Sequence, residues 1–250
     1  MSFRLLPEDF DARLASAASW FWAARSAGAG SQAGGRGQVI GGKNLDGFLQ
    51  LITDVALHCG VPRQAIHAGS RTVLPGYFRA TKSWDAVIVL EGRLLAALEL
   101  KSQVGSFGNN LNNRTEEALG SAADLWRAAR AGAYGLRPGE AESRSDPRPP
   151  FVGFLVLVED CRKVQVPVRA DAPHFPVLPA FRGASYAERY RTLCERLMDE
   201  RLYTAASLVL SARGETSGAP TLRSLSPATS PKAFFTALAG SLLANVQAPR

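Results

Sequence analysis

One stretch limits the folds open to this chain of 250 residues more than any other: Ser83-Trp84-Asp85-Ala86-Val87-Ile88-Val89-Leu90-Glu91-Gly92-Arg93-Leu94-Leu95-Ala96-Ala97-Leu98-Glu99-Leu100-Lys101. The runs Ala86 to Leu90 and Leu94 to Leu98 are apolar at every position, as strands covered on both faces of a sheet are. Glu91-Gly92-Arg93 lies between them, and a three-residue turn with glycine in the left-handed position makes the whole a β-hairpin. That turn pairs Ala86 with Leu98 and sets Asp85 opposite Glu99, with Cβ atoms about 5 Å apart.

Strand alternation puts Glu99 and Lys101 on the same face. Two facing carboxylates at the end of a buried hairpin repel each other and lose hydration, so a positive group between them is required. Mg²⁺ suits the position, since it takes hard oxygen ligands from one or two carboxylates and completes its shell with water and phosphate oxygens. A plainer reading makes Asp85 and Glu99 solvated strand ends with Lys101 as their ion-pair partner. The spacing D-x13-E-x-K resembles the PD-(D/E)-x-K nuclease site, with Ser83-Trp84-Asp85 where that motif often has Pro-Asp.

Composition narrows the setting. A net charge of +7 suits a polyanionic partner, and hydrophobic and charged fractions of 46% and 20% are those of an ordinary globular protein. The length fits one large domain or two small ones, and a single domain over residues 1–250 is expected. No apolar run approaches the roughly 18 residues of a membrane span. Acidic residues and Pro7 precede any signal-peptide core, so a cytoplasmic protein is expected. Cys59, Cys161 and Cys194 have no metal-ligand spacing and read as reduced thiols, while three histidines leave little material for zinc.

Along the chain, residues 7–27 read as a helix with Phe10, Leu14, Phe21 and neighbouring alanines on one side. Residues 28–42 form a Gly-rich loop ending in Gly37-Gln-Val-Ile-Gly-Gly42-Lys43-Asn44. This matches a phosphate-loop pattern apart from Asn44, but no strand precedes it, so Arg36 and Lys43 suit DNA backbone contacts better. Asn44 is expected to cap a helix to about His58, with Asp46 in its first turn, either as a favourable helix-end charge or as a further metal ligand. Residues 60–82 read as a basic loop bringing Arg63, Arg71, Arg79 and Lys82 toward the carboxylates, or as a solvated charged surface.

Past Lys101 comes Ser-Gln103-Val-Gly-Ser-Phe-Gly-Asn109-Asn110-Leu-Asn112-Asn113-Arg114-Thr-Glu-Glu-Ala. Asn, Gln and Arg read adenine and guanine edges in the major groove, although Asn also serves turns, and Asn113 with Glu116 fits a capping box. A helix is expected over 116–130, a surface loop over 136–150, and a strand from Phe151 to Val158. A helix follows the Ser185/Glu188 capping box to about Tyr203, then a strand from Ala205 to Ser211 and a last helix from Ser230-Pro231. Strands alternating with helices predict an α/β fold, a mixed central sheet flanked by helices on both faces, as in restriction-endonuclease-like cores.

The segment from Asp85 to Trp126, above all Glu-Leu-Lys-Ser-Gln-Val-Gly with Phe-Gly-Asn-Asn-x-Asn-Asn-Arg-Thr-Glu-Glu-Ala, resembles the XhoI family of type II restriction endonucleases. The resemblance implies cleavage of double-stranded DNA at the palindrome CTCGAG with staggered ends, a symmetric homodimer, and a companion DNA methyltransferase. The expected catalytic residues are Asp85, Glu99 and Lys101. Asp85, Glu99, the Leu100 carbonyl and, as an extra candidate, Asp46 would hold Mg²⁺. Lys43, Arg79, Lys82, Gln103, Asn109, Asn110, Asn112, Asn113 and Arg114 are the candidates for contacting DNA. The rival readings are a structure-selective or repair nuclease with the same centre and a non-catalytic DNA-binding module.

Overall fold

The computed structural model describes residues 4–29, 44–134, 149–214 and 218–246. Gly28 and Ala29 of the expected 28–42 loop are helical instead, and the rest of that loop, Lys43 and most of the 136–150 loop lie outside the described residues. Six strands form one mixed sheet in the order β1 (Ile66–Ala68), β4 (Ala86–Leu90), β5 (Arg93–Gln103), β6 (Phe151–Glu159), β7 (Ala205–Ala212) and β8 (Thr221–Arg223). β5, β6 and β7 are parallel, while β1, β4 and β8 join antiparallel at the sides. A separate two-stranded ribbon pairs β2 (Val73–Pro75) with β3 (Thr81–Ser83). The basic segment read as a loop therefore contains both this ribbon and β1.

Both faces of the sheet are covered, which explains the unbroken apolar runs of its strands. Helices α1 (Phe10–Ala29), α2 (Asp46–His58) and α6 (Pro231–Val246) enclose one core with Phe21, Phe48, Ile88, Leu98, Leu155 and Phe235. Helices α3 (Phe107–Arg130) and α5 (Tyr186–Asp199) enclose the other with Phe107, Leu125, Ala97, Phe154 and Tyr190. Val164 of the single-turn helix α4 (Arg162–Gln165) packs into that second core. Each fully buried Phe contributes about 1.5–3 kcal/mol by leaving water, so α3 and α5 are held chiefly by their apolar faces.

The hairpin is built as its pattern requires where the chemistry lies, and differently at its turn. Ala86 pairs with Leu98, Val87 with Ala97 and Ile88 with Ala96, the expected register. The turn uses two residues instead of three: Leu90 pairs with Arg93, and Glu91 and Gly92 take φ of 52° and 75°. Left-handed backbone at both central positions is the hairpin turn whose twist matches the strands, and glycine takes it without strain. A bulge between Ile88 and Val89 restores the register, and both Leu95 and Ala96 therefore face the same core.

Two helix starts also differ. Leu45 is the residue preceding α2, with no side-chain cap, and Asn44 is buried with its Oδ1 lacking a hydrogen-bond partner among the described residues. α3 starts at Phe107, preceded by Ser106 in the left-handed conformation, so Asn113 lies inside the helix and no capping box forms there. Asn is a poor helix former, but the buried anchors Phe107 and Leu111 hold this polar first half against the second core. The Ser185/Glu188 capping box forms as expected: Ser185 N–H donates to Glu188 Oε2 at 2.7 Å and Glu188 N–H to Ser185 Oγ at 3.3 Å. No helix among the described residues is long and apolar enough to cross a membrane.

Candidate active site

Asp85 and Glu99 meet where β4 begins and β5 nears its end. The Asp85 N–H donates to Leu98 O at 3.1 Å, which continues the ladder and sets Asp85 across from Glu99. Asp85 Oδ2 in turn accepts the Leu100 N–H at 2.7 Å. Burial raises the Asp85 pKa, and the negative charge of Glu99 raises it further, against the opposing pull of the Leu100 N–H, Lys101 and Lys82. The mutual repulsion anticipated for this pair is thus present.

Glu99 is only 4% exposed and carries two ammonium groups. Lys101 Nζ lies on its Oε1 and Lys82 Nζ sits 2.7 Å from its Oε2. Burial works against the charge of Lys101, but Glu99, Asp85 and Glu117 outweigh it and the pKa ends above its usual value. Lys101 Nζ is 3.6 Å from Glu117 Oε2, which also accepts Arg114 Nη1 at 2.5 Å. Beside this string of alternating charge is a cavity of about 250 Å³ lined by Leu45, Leu49, Asp85, Leu100, Lys101, Ser102 and Arg114.

Lys82 reaches Glu99 because of the ribbon. Trp84 N–H donates to Thr72 O and Gly69 N–H to Asp85 O, so the ribbon leaves and rejoins the sheet next to Asp85. Its tip is clamped by Asp124, a charged residue 2% exposed on α3. Asp124 Oδ1 accepts the N–H groups of Tyr77 and Phe78, each at 2.8 Å, and Oδ2 meets Arg79 Nε at 3.0 Å. Burial pushes the Asp124 pKa up, yet those N–H bonds and Arg79 pull it below its ordinary value. Gly76 is required here, since a Cβ would sit 2.6 Å from both Asp124 Oδ2 and Arg79 O. The sequence reading missed Asp124; its signal was a lone acid between Ala122, Leu125 and Ala128 on an apolar helix face.

The remaining candidates divide by position. Asn109, Asn112 and Asn113 are exposed and, with Glu116, recur at helical spacing, so they form one outward stripe on the first turns of α3. Asn110 bends back, donating to Ser106 O at 3.0 Å, and Arg114 lines the cavity. Gln103 is 6% exposed and donates to Gly105 O at 2.5 Å, which commits its amide to the turn into α3. Arg79 is committed to Asp124. Asp46 is exposed in the first turn of α2; its neighbours Leu45 and Leu49 line the cavity and it does not. Lys43 lies outside the described residues.

Among the described residues no group of three or more His, Cys, Asp or Glu side chains gathers as a metal cluster. The hairpin end offers the carboxylate oxygens of Asp85, which lines the cavity, and of Glu99 across from it. That set fits Mg²⁺, which binds through one or two carboxylates and keeps several waters, and does not fit zinc.

A mixed sheet flanked by helices, with an acid just before one strand and E-x-K on the next, is the build of a restriction-endonuclease-like nuclease. Comparison with known proteins agrees. The family model for restriction endonuclease XhoI matches residues 24–220. The type II restriction enzyme BstVI of Geobacillus stearothermophilus is 46% identical over 188 residues, covering 73% of this chain and 80% of that protein. The type II restriction enzyme XhoI of Xanthomonas vasicola is 48% identical over 171 residues, 67% of this chain and 65% of that protein. The type II restriction enzyme AbrI of Azospirillum brasilense is 50% identical over 135 residues, 53% of this chain and 56% of that protein. No solved structure matches the chain significantly. The chain belongs to the XhoI restriction endonuclease family. It is a sequence-specific deoxyribonuclease of the type II restriction class, a class that acts on DNA with a divalent cation.

Proposed function

We propose that the protein hydrolyses double-stranded DNA at the palindrome CTCGAG, with Mg²⁺ as its cation and staggered ends as its product. The observation that supports this most directly is the convergence of Asp85, Glu99 and Lys101 at one end of the hairpin, where Asp85 and Lys101 line a cavity with Leu100 and Arg114. In this reading Asp85, Glu99 and the Leu100 carbonyl hold the cation. When bound, it supplies Lewis acidity, lowering the pKa of a coordinated water and neutralising charge that gathers on the phosphate. Lys101 orients the attacking water and offsets the negative charge of the transition state. The Leu100 N–H fixes the Asp85 carboxylate, and Arg114 in the cavity wall grips a phosphate oxygen.

The stripe of Asn109, Asn112 and Asn113 supplies base contacts, since a helix fits the major groove and Asn pairs with adenine through two hydrogen bonds. A palindrome is read by a two-fold symmetric protein, so the working form is a homodimer with one active site per strand, in the cytoplasm beside a DNA methyltransferase that protects host sites. Digestion of a sequenced plasmid with Mg²⁺, followed by mapping of the ends, tests the reading. Discrete fragments ending within CTCGAG are expected. A smear without fixed ends would instead select a structure-selective or repair nuclease.

A further inference from the structure

Lys82 is a second ammonium on Glu99, from an element separate from the E-x-K strand, and the E-x-K chemistry leaves it without a role. It comes from β3, through a ribbon clamped by Asp124. Its side chain is 12% exposed. Its Nζ lies 2.7 Å from Glu99 Oε2, donates to Ser83 O at 3.2 Å, and sits 4.6 Å from the ring centroid of the buried Trp84. Ionised Asp85 and Glu99 carry two negative charges. Lys101 and Lys82 supply two positive ones. The next pair outward, Glu117 with Arg114, is balanced as well.

We infer that Lys82 couples cation loading to DNA binding: it brings the Asp85/Glu99 centre to neutrality, so that a divalent cation is held firmly only when a DNA phosphate adds its negative charge. A site lacking Lys82 would carry net charge −1 and attract a divalent cation by itself. The unlike charges act across a desolvated hairpin end, where the effective dielectric is far below that of water. Coupling of this kind is reciprocal, so the cation raises affinity for DNA by the same factor that DNA raises affinity for the cation. The benefit is order: the protein free of DNA does not assemble the hydrolytic centre. This inference rests on the metal-site reading given above.

The test uses Ca²⁺ as a probe and the whole protein, with Ca²⁺ affinity read by calorimetry without DNA, and DNA affinity read by anisotropy with and without Ca²⁺. Lys82→Met keeps the length of the side chain and removes its charge. It should bind Ca²⁺ on the order of tenfold more tightly without DNA, the factor corresponding to about 1.4 kcal/mol. The enhancement of DNA affinity by Ca²⁺ should shrink by a similar factor. Lys82→Arg, which keeps the charge, should stay near the wild type in both. A folded Lys82→Met, shown so by circular dichroism and a cooperative melt, with unchanged or weaker Ca²⁺ binding overturns the inference. If that variant fails to fold, wild-type affinity in Lys82→Arg together with a DNA-dependent rise in wild-type Ca²⁺ affinity sustains it, and absence of that rise overturns it. Asp85→Asn separates the two levels. If Ca²⁺ raises its DNA affinity as much as it raises that of the wild type, the metal-site reading has failed, whereas loss of that enhancement there with no tighter Ca²⁺ binding in Lys82→Met refutes the role of Lys82 alone.

Discussion

Asp85 works against the stability of the fold that carries it. Burial and the Glu99 charge raise its pKa above the ordinary 3.8, so the folded protein holds a proton there more readily than the unfolded chain. The stability this group contributes is full below that ordinary value and falls away as pH rises through the raised pKa. At neutral pH the ionised group is a cost, which a cation held there as proposed would relieve. Asp85→Asn keeps an oxygen to accept the Leu100 N–H and removes the charge. Its melting temperature without divalent cation should exceed the wild type's at pH 8, and the gap should close as pH approaches 4; cleavage should be lost. A melt of both proteins across that range checks this, and an Asp85→Asn protein that melts lower throughout would show that the charge is not strained. Lys101 is the reverse case, an ammonium steadied by Glu99, Asp85 and Glu117. Lys101→Ala should reduce kcat by about 10²–10⁴-fold, the scale of positioned proton-transfer groups, in single-turnover assays with DNA in excess of its dissociation constant.

At the scale of elements, what the sequence disclosed and what it hid have separate causes. The turn between Ala86–Leu90 and Leu94–Leu98 sets the register locally, since runs apolar at every position carry no alternation to fix it. Asp85 and Glu99 could therefore be paired in advance even though the turn closes with two residues and a bulge makes up the difference. The capping box at Ser185 was legible for the same local reason. The first half of α3 was hidden, since four Asn residues read as turn formers while Phe107 and Leu111 supply the burial that overrides them. The ribbon was hidden more deeply. Its strands are three residues each, and its anchor Asp124 is 46 residues away from Phe78, a pairing with no local pattern. Asp124→Ala would leave two N–H groups and Arg79 without their acceptor, at a cost of about 2 kcal/mol, or roughly 4–8 °C of melting temperature for a chain of this size. It should also release Lys82 and shift Ca²⁺ affinity in the direction of Lys82→Met. The stripe Asn109, Asn112 and Asn113 points outward and holds no fold together, so single Ala changes there should leave the melt within about 0.5 kcal/mol of wild type. Each residue that reads a base should reduce discrimination against a one-base-altered site by about 1–3 kcal/mol, measured as a ratio of kcat/KM values on the two sites.

For the whole molecule, the question is how the proposed centre of Asp85, Glu99 and Lys101 would cut two strands. The strands of a duplex run antiparallel, and a single centre would have to release, turn and rebind to reach the second phosphodiester. Two copies related by a two-fold axis avoid this, because the axis that relates the halves of a palindrome then also relates the copies. Net charge of +7 favours a polyanionic duplex, and in the proposed dimer it would help keep both copies on one site long enough to act in a single encounter. Mixing then separates the alternatives. If Asp85→Asn is co-refolded with an excess of wild type, mixed dimers carry one working centre on an intact reading surface. On a supercoiled plasmid with one recognition site they should convert the circle to a nicked form that persists, while wild-type dimers give linear product with little nicked intermediate. Agarose electrophoresis of the time course distinguishes the three forms. Linear product from the mixed dimers, at the rate of the wild-type fraction and with no persistent nick, would mean that each chain cuts both strands by itself and that the symmetric assembly is not the working form.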